Sequence, residues 1–111
     1  MQQVVDLQNA PTFQSLGVDL VSIGIDPLTE LTPAAKEWNI TTPLLSDSDH
    51  KVSQAYGVLQ WAMPSGEPGH TFVLVGRDGS VKWIQDYGAP QNSGRMYVPL
   101  EELLPQIKAH L

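Results

Sequence analysis

The chain has 111 residues and a mass of 12.2 kDa, the size of one domain, which excludes two independent cores and sets residues 1–111 as a single unit of expectation. At 41% hydrophobic and 16% charged residues it carries enough apolar matter for a core and too much for a disordered chain. Twelve acidic against six basic residues leave a net charge of -6, and Lys36, Lys51, Arg77, Lys82, Arg95 and Lys108 are scattered instead of forming a stripe, so neither nucleic acid nor anionic membrane is an expected partner.

Val4, Leu7, Phe13 and Leu16 fall at helical spacings, with Gly17 placed for a left-handed stop, which predicts a helix over 1–16 that ends near Ala10 or kinks at Pro11. No capping residue precedes it, so the chain reads as truncated before its first helix. VDLVSIGI, residues 18–25, becomes apolar at most positions and predicts a strand covered on both faces. Asp26-Pro27 and Thr32-Pro33 each have the signature of a helix start, and that helix runs to Trp38 with Asn39 as its stop. After an extended piece over 43–46, the acids Asp47 and Asp49 are placed to cap a short helix, 51–56, that Gly57 ends.

Residues 59–69 read as a long loop holding Trp61, Met63, Pro64 and Pro68. TFVLV (71–75) and SVKWI (80–84), joined through Arg77-Asp78-Gly79, predict a β-hairpin. Residues 86–96 lack periodicity and read as a surface loop, and Leu100, Leu103, Leu104, Ile107 and Leu111 predict a last helix behind Pro99, kinked at Pro105. Trp38, Tyr56, Phe72 and Trp83 fall on apolar faces of these elements and are assigned to the core. Strands interspersed with helices, then an antiparallel pair, indicate an α/β layer fold.

No window approaches roughly 18 consecutive apolar residues, and MQQVVDLQNA lacks the basic flank and apolar run of a secretory signal, so no membrane span is expected and the reading is cytoplasmic. The chain has no cysteine, which excludes disulfides, thiolate metal sites and thiol nucleophiles among its own residues. His50, His70 and His110 do not make a metal site with Asp47 or Asp49, because helix capping accounts for those acids; no metal and no cofactor are expected. No serine stands in a nucleophile elbow.

The run LGVDLVSIGID, then PLLSDSDHKVSQAYGVL, then HTFVLVGRDGSVKWI, resembles the later two-thirds of a peroxiredoxin-like domain of the alkyl hydroperoxide reductase and thiol-specific antioxidant type, from Leu16 to about Leu104. PLLSD followed by a short helix ending AYGV is its most specific part. The resemblance implies a thioredoxin-like fold, a mixed sheet with flanking helices, and an activity in which a cysteine thiolate attacks a peroxide or a disulfide. It also implies that the strand and thiol of the pattern fall upstream of Met1. Where peroxiredoxins carry an arginine, this chain has Gly69 with His70 beside it, which points to a redoxin relative over a strict peroxiredoxin. Pro68 stands near the cis-proline of thioredoxin-type domains.

On this reading no residue of the chain is catalytic, and Trp61, Gly69, His70 and Thr71 are contacts on the side of a redox site. Trp61 is either a docking point for a thiol partner or a packing anchor. The expected function is a thiol-dependent antioxidant oxidoreductase, inactive as this chain alone, with a thiol reductant or disulfide as partner. The alternative is a non-catalytic thioredoxin-fold module for binding or association. Loss of a central strand between residues 18–25 and 71–75 would leave two rows of backbone groups unpaired, so self-association through exposed sheet edges is expected. Direct pairing of the two strands or a strand donated by another chain are the other repairs.

Overall fold

A computed structural model describes residues 1–62 and 69–111, and these form two units, Met1–Tyr56 and Gly57–Leu111. Met63, Pro64 and Pro68 lie outside the described residues.

In the first unit Pro11 decides where the opening helix breaks. Proline has no N–H to donate and is tolerated only in a first turn, so α1 (Gln2–Asn9) ends, Ala10 turns extended at φ -83° and ψ 115°, and Pro11 opens α2 (Pro11–Gln14). Leu7, Ala10 and Phe13 are buried, and Gly17 takes the left-handed conformation at φ +71°. The strand predicted over 18–25 contracts to β1 (Ser22–Gly24), and it is not covered on both faces: Val21 and Ile23 remain 50% and 47% exposed. The reason lies in its partner. β2 (Leu44–Ser46) is confined between Pro43 and Asp47, and the parallel register Ser22↔Leu44, Ile23↔Leu45, Gly24↔Ser46 runs out after three residues.

Between these strands α3 (Leu28–Glu37) starts behind Pro27, not at Pro33, which it contains. Its buried Leu31 lies over Gly24, where an added Cβ would meet Leu31 Cδ2 at 3.5 Å. Asn39 stops the helix at φ +55°, as its tolerance of that conformation predicts. Gln8 of α1 then clamps the turn that follows: its Nε2 donates to Asn39 O at 2.8 Å, and its Oε1 accepts from Thr41 N at 3.0 Å. The capping reading of Asp47 holds for α4 (Lys51–Ala55). Its Oδ1 accepts from Val52 N at 3.0 Å, and its Oδ2 accepts from both Ser53 N and Ser53 Oγ at 2.7 Å. Trp38 and Tyr56 are not core: each is 41% exposed, because each is the C-cap residue of its helix and projects beyond the last packed turn.

The second unit opens on a 3₁₀ turn, Val58–Trp61, within the stretch read as loop. The hairpin forms as expected from β3 (Thr71–Val75) and β4 (Val81–Asp86), antiparallel, with a bulge between Leu74 and Val75. Gly76 N donates to Ser80 O at 2.8 Å to close the turn, Gly79 sits at φ +85°, and Asp78 Oδ1 accepts from Ser80 N at 3.0 Å. Phe72 and Trp83 are half-buried, and Trp83 stacks on His110 with ring centroids 5.5 Å apart.

Residues 86–96 are not a surface loop throughout. Asp86 belongs to β4, Asp86 through Ala89 are buried, and Pro90–Asn92 make a second 3₁₀ turn. Periodicity misses this segment because hydrogen bonds to one carboxylate organise it. α5 (Leu100–Ala109) follows Pro99 and buries Leu103 and Ile107, while Leu111 lies past its end and is exposed. Arg95 grips Glu102 in this helix through two parallel bonds of 2.9 and 2.5 Å. Among the described residues the strands thus make one parallel and one antiparallel pair, each a two-stranded sheet, and no helix is long and apolar enough to cross a membrane.

Candidate functional site

Within the second unit, the predicted contact residues converge on a carboxylate that sequence reasoning did not single out. Asp86, at the end of β4, is 1% exposed. Its Oδ1 accepts from Thr71 Oγ1 at 2.7 Å, across the hairpin register that pairs Thr71 with Asp86. Its Oδ2 accepts from Ala89 N at 2.9 Å and from Asn92 Nδ2 at 3.1 Å. Burial by itself raises the Asp86 carboxyl. The bonds from Ala89 N–H, Asn92, Thr71 and Gly88 N–H outweigh it, so the group is held below its ordinary value of 3.8 and stays ionised.

Gly69 fits into this arrangement because it has no side chain. A Cβ there would stand 3.0 Å from Asp86 Oδ1 and 3.0 Å from the Trp61 carbonyl oxygen. Trp61, Gly69, Thr71 and Asp86 are therefore brought together, Trp61 through its backbone. His70 joins by its main chain: Tyr87 N donates to His70 O at 2.8 Å, and a Cβ on Gly88 would collide with the His70 backbone nitrogen. Its imidazole stands edge-on to Phe72, with ring centroids 5.0 Å apart, and Phe72 stands edge-on to Tyr87 at 5.9 Å. Burial pulls the His70 imidazole below its ordinary 6.5, against the opposing pull of Asp86, and leaves it neutral at pH 7. Burial also raises the Tyr87 hydroxyl, helped by Glu102.

This arrangement offers a neutral imidazole, which both donates and accepts, and a fixed carboxylate whose bonds shape the approach to it. It offers no thiol nucleophile, since the chain contains no cysteine. Nor do the described residues hold a group of three His, Cys, Asp or Glu side chains close enough to take a metal ion. Both oxygens of Asp47 and both of Asp86 are already occupied by protein donors. The signal for Asp86 was present in the sequence: SVKWIQD continues its strand two residues past Ile84, and an aspartate three positions before Ala89 is placed to accept that backbone N–H.

No curated protein matches this chain. The sequence does match the AhpC/TSA family over residues 2–84, a span that includes every element from α1 to β3 and most of β4. That span covers Trp61, Gly69, His70 and Thr71 and stops two residues before Asp86. The match takes in 83 of 111 residues, and with its α/β elements the chain belongs to the AhpC/TSA family of thioredoxin-like redoxin domains.

Proposed function

We propose that the chain is the scaffold of a thiol-dependent antioxidant oxidoreductase, reducing peroxides or disulfides with a cysteine thiol supplied from outside these 111 residues. The observation that carries this reading is family membership across residues 2–84 in a chain with no cysteine. A thiolate attacking a peroxide displaces an alcohol or water and is left as a sulfenic acid, which a second thiol reduces. The chain's part is positional. Gly69, His70 and Thr71 form the contact side, with Trp61 as the docking point for the thiol or disulfide partner. A cytoplasmic location, where thiols are kept reduced, suits that partner.

Thiol-dependent peroxide consumption tests this reading on the chain alone and on a longer form that includes whatever is encoded before Met1. Turnover only in the longer form supports it. A folded longer form that reduces neither a peroxide nor a disulfide overturns it.

A second reading is a non-catalytic association module, favoured by the open edge of β3. Its sheet has two strands among the described residues, and TFVLV carries no charge. The unit around it has five acids against four bases, so two copies meet there with little repulsion. Sedimentation at rising concentration is the measurement for this reading: a growing dimer that Val73→Pro abolishes supports self-association, and a monomer throughout overturns it.

A further inference from the structure

A threonine hydroxyl carries one proton and two lone pairs, and its partner decides which of them is left for a ligand. Thr71 Oγ1 lies 2.7 Å from Asp86 Oδ1, and Asp86 is held ionised, so it can only accept and the Thr71 proton is committed to it. Asp86 cannot turn away, because Ala89 N and Asn92 Nδ2 hold its other oxygen at 2.9 and 3.1 Å in a place that is 1% exposed. The lone pairs of Thr71 meet no donor among the described residues, and the residue is half-buried, not enclosed. A hydroxyl that donates to an anion is the stronger acceptor at its own oxygen, since chained hydrogen bonds polarise one another.

The charge around this pair has one sign. Thr71 and Asp86 face each other at the open end of the hairpin. Of the four bases in Gly57–Leu111, Arg77 and Lys82 flank the turn at the other end, Arg95 is gripped by Glu102, and Lys108 lies in the last turn of α5. Gly69, next to the carboxylate, brings no cation, and His70 beside it is neutral at pH 7. Thr71 thus offers lone pairs backed by a fixed negative charge in a poorly solvated place, where charge is weakly screened. A group with a proton to donate is favoured there, and an oxyanion is opposed by both features.

We infer that Thr71 is a specificity-determining contact of the proposed thiol chemistry, accepting a hydrogen bond from the O–H of an uncharged hydroperoxide, and that Asp86 is the positioning residue that keeps it an acceptor and disfavours anionic peroxides. This rests on the thiol reading above and narrows its substrate. In the step, the thiolate sulfur bonds to the oxygen that carries the proton and the O–O bond breaks, so the sulfur is oxidised and the peroxide reduced. The proton stays on that oxygen and passes with it into the sulfenic acid, so Thr71 accepts from the same O–H before and after attack. The departing alkoxide takes a proton from water and leaves as the alcohol. An anionic peroxide brings no such proton.

The test uses the longer form that includes whatever is encoded before Met1, with tert-butyl hydroperoxide as the neutral probe and peroxynitrite, largely the anion in mildly alkaline buffer, as the charged one. Asp86→Asn keeps the Ala89 and Asn92 bonds but donates an amide hydrogen to Thr71, which frees the hydroxyl proton for a ligand and removes the charge. The ratio of kcat/KM for peroxynitrite to that for tert-butyl hydroperoxide should therefore rise at least about tenfold in this variant. Thr71→Val, which has the shape without the hydroxyl, should raise the ratio about threefold or more, and Thr71→Ser should keep it within about twofold of the unsubstituted protein. Damage to the fold alone lowers both rates together and leaves the ratio in place. An unchanged ratio in Asp86→Asn or in Thr71→Val overturns the inference alone, as does a longer form that reduces disulfides but no hydroperoxide. A longer form that reduces neither overturns the thiol reading, and the inference with it.

Discussion

Replacing Asp86 separates the shape of its carboxylate from its charge. In Asp86→Ala the donors Thr71 Oγ1, Ala89 N and Asn92 Nδ2 lose their acceptor in a place that is 1% exposed. Each stranded donor costs roughly 1 to 3 kcal/mol, and relief of the buried charge offsets part of the sum, so the loss should be about 4 kcal/mol. Asp86→Asn is far milder because the two oxygens have different partners. An amide oxygen in place of Oδ2 keeps Ala89 N and Asn92, while an amide nitrogen in place of Oδ1 faces a Thr71 hydroxyl free to turn and accept. Only the charge assistance is lost, at about 1 kcal/mol. Urea unfolding followed by tryptophan fluorescence measures both, in a Trp38→Phe background so that Trp61 and Trp83 alone report on the second unit. Equal losses in the two variants would refute the reasoning, since they would mean that charge and not the bond pattern holds the segment. So would a loss under about 1 kcal/mol for Asp86→Ala.

Gly88→Ala drives a methyl group into the His70 backbone nitrogen with Gly69 Cα at 3.2 Å, backbone against backbone, and should cost about 3 kcal/mol in the same assay. Stability should fall as pH drops below about 6.5. The unfolded chain protonates His70 there while the folded one, with its lowered value, does not, and His70→Asn should flatten this part of the profile. A second loss should follow below about 3.8, where Asp86, lowered in the folded state, is protonated first in the unfolded one, and Asp86→Asn should remove Asp86's share of it. Asp47→Ala should accelerate hydrogen exchange at Val52 and Ser53 and fray α4, leaving the hairpin amides unchanged.

The elements that the sequence made legible are those whose signals are local. The hairpin follows from apolar alternation around Asp78-Gly79, and the breaks at Ala10, Asn39 and Gly57 follow from what proline, asparagine and glycine permit. β1 was overdrawn because its length is set by β2, some twenty residues away, and not by its own apolar run. Asp86 escaped notice because its partners stand at positions 71, 89 and 92, a pattern with no period. Trp61, Gly69, His70 and Thr71 were reached through resemblance. What physically joins them, the close approach at Gly69 and the bond to Thr71, becomes visible only in three dimensions.

The Gln8 clamp bears on the order in which the first unit assembles. Its amide ties α1 to residues more than thirty positions later, and closing a loop of that length costs about 3 kcal/mol in chain entropy before any bond repays it. The exposed hydrogen bonds of the Gln8 amide return less than this, so the clamp closes only after α3 and the turn at Asn39 have formed a place for the amide to land. The clamp is thus a late event in folding and an early loss in partial unfolding, with the Thr41 amide losing protection as it opens.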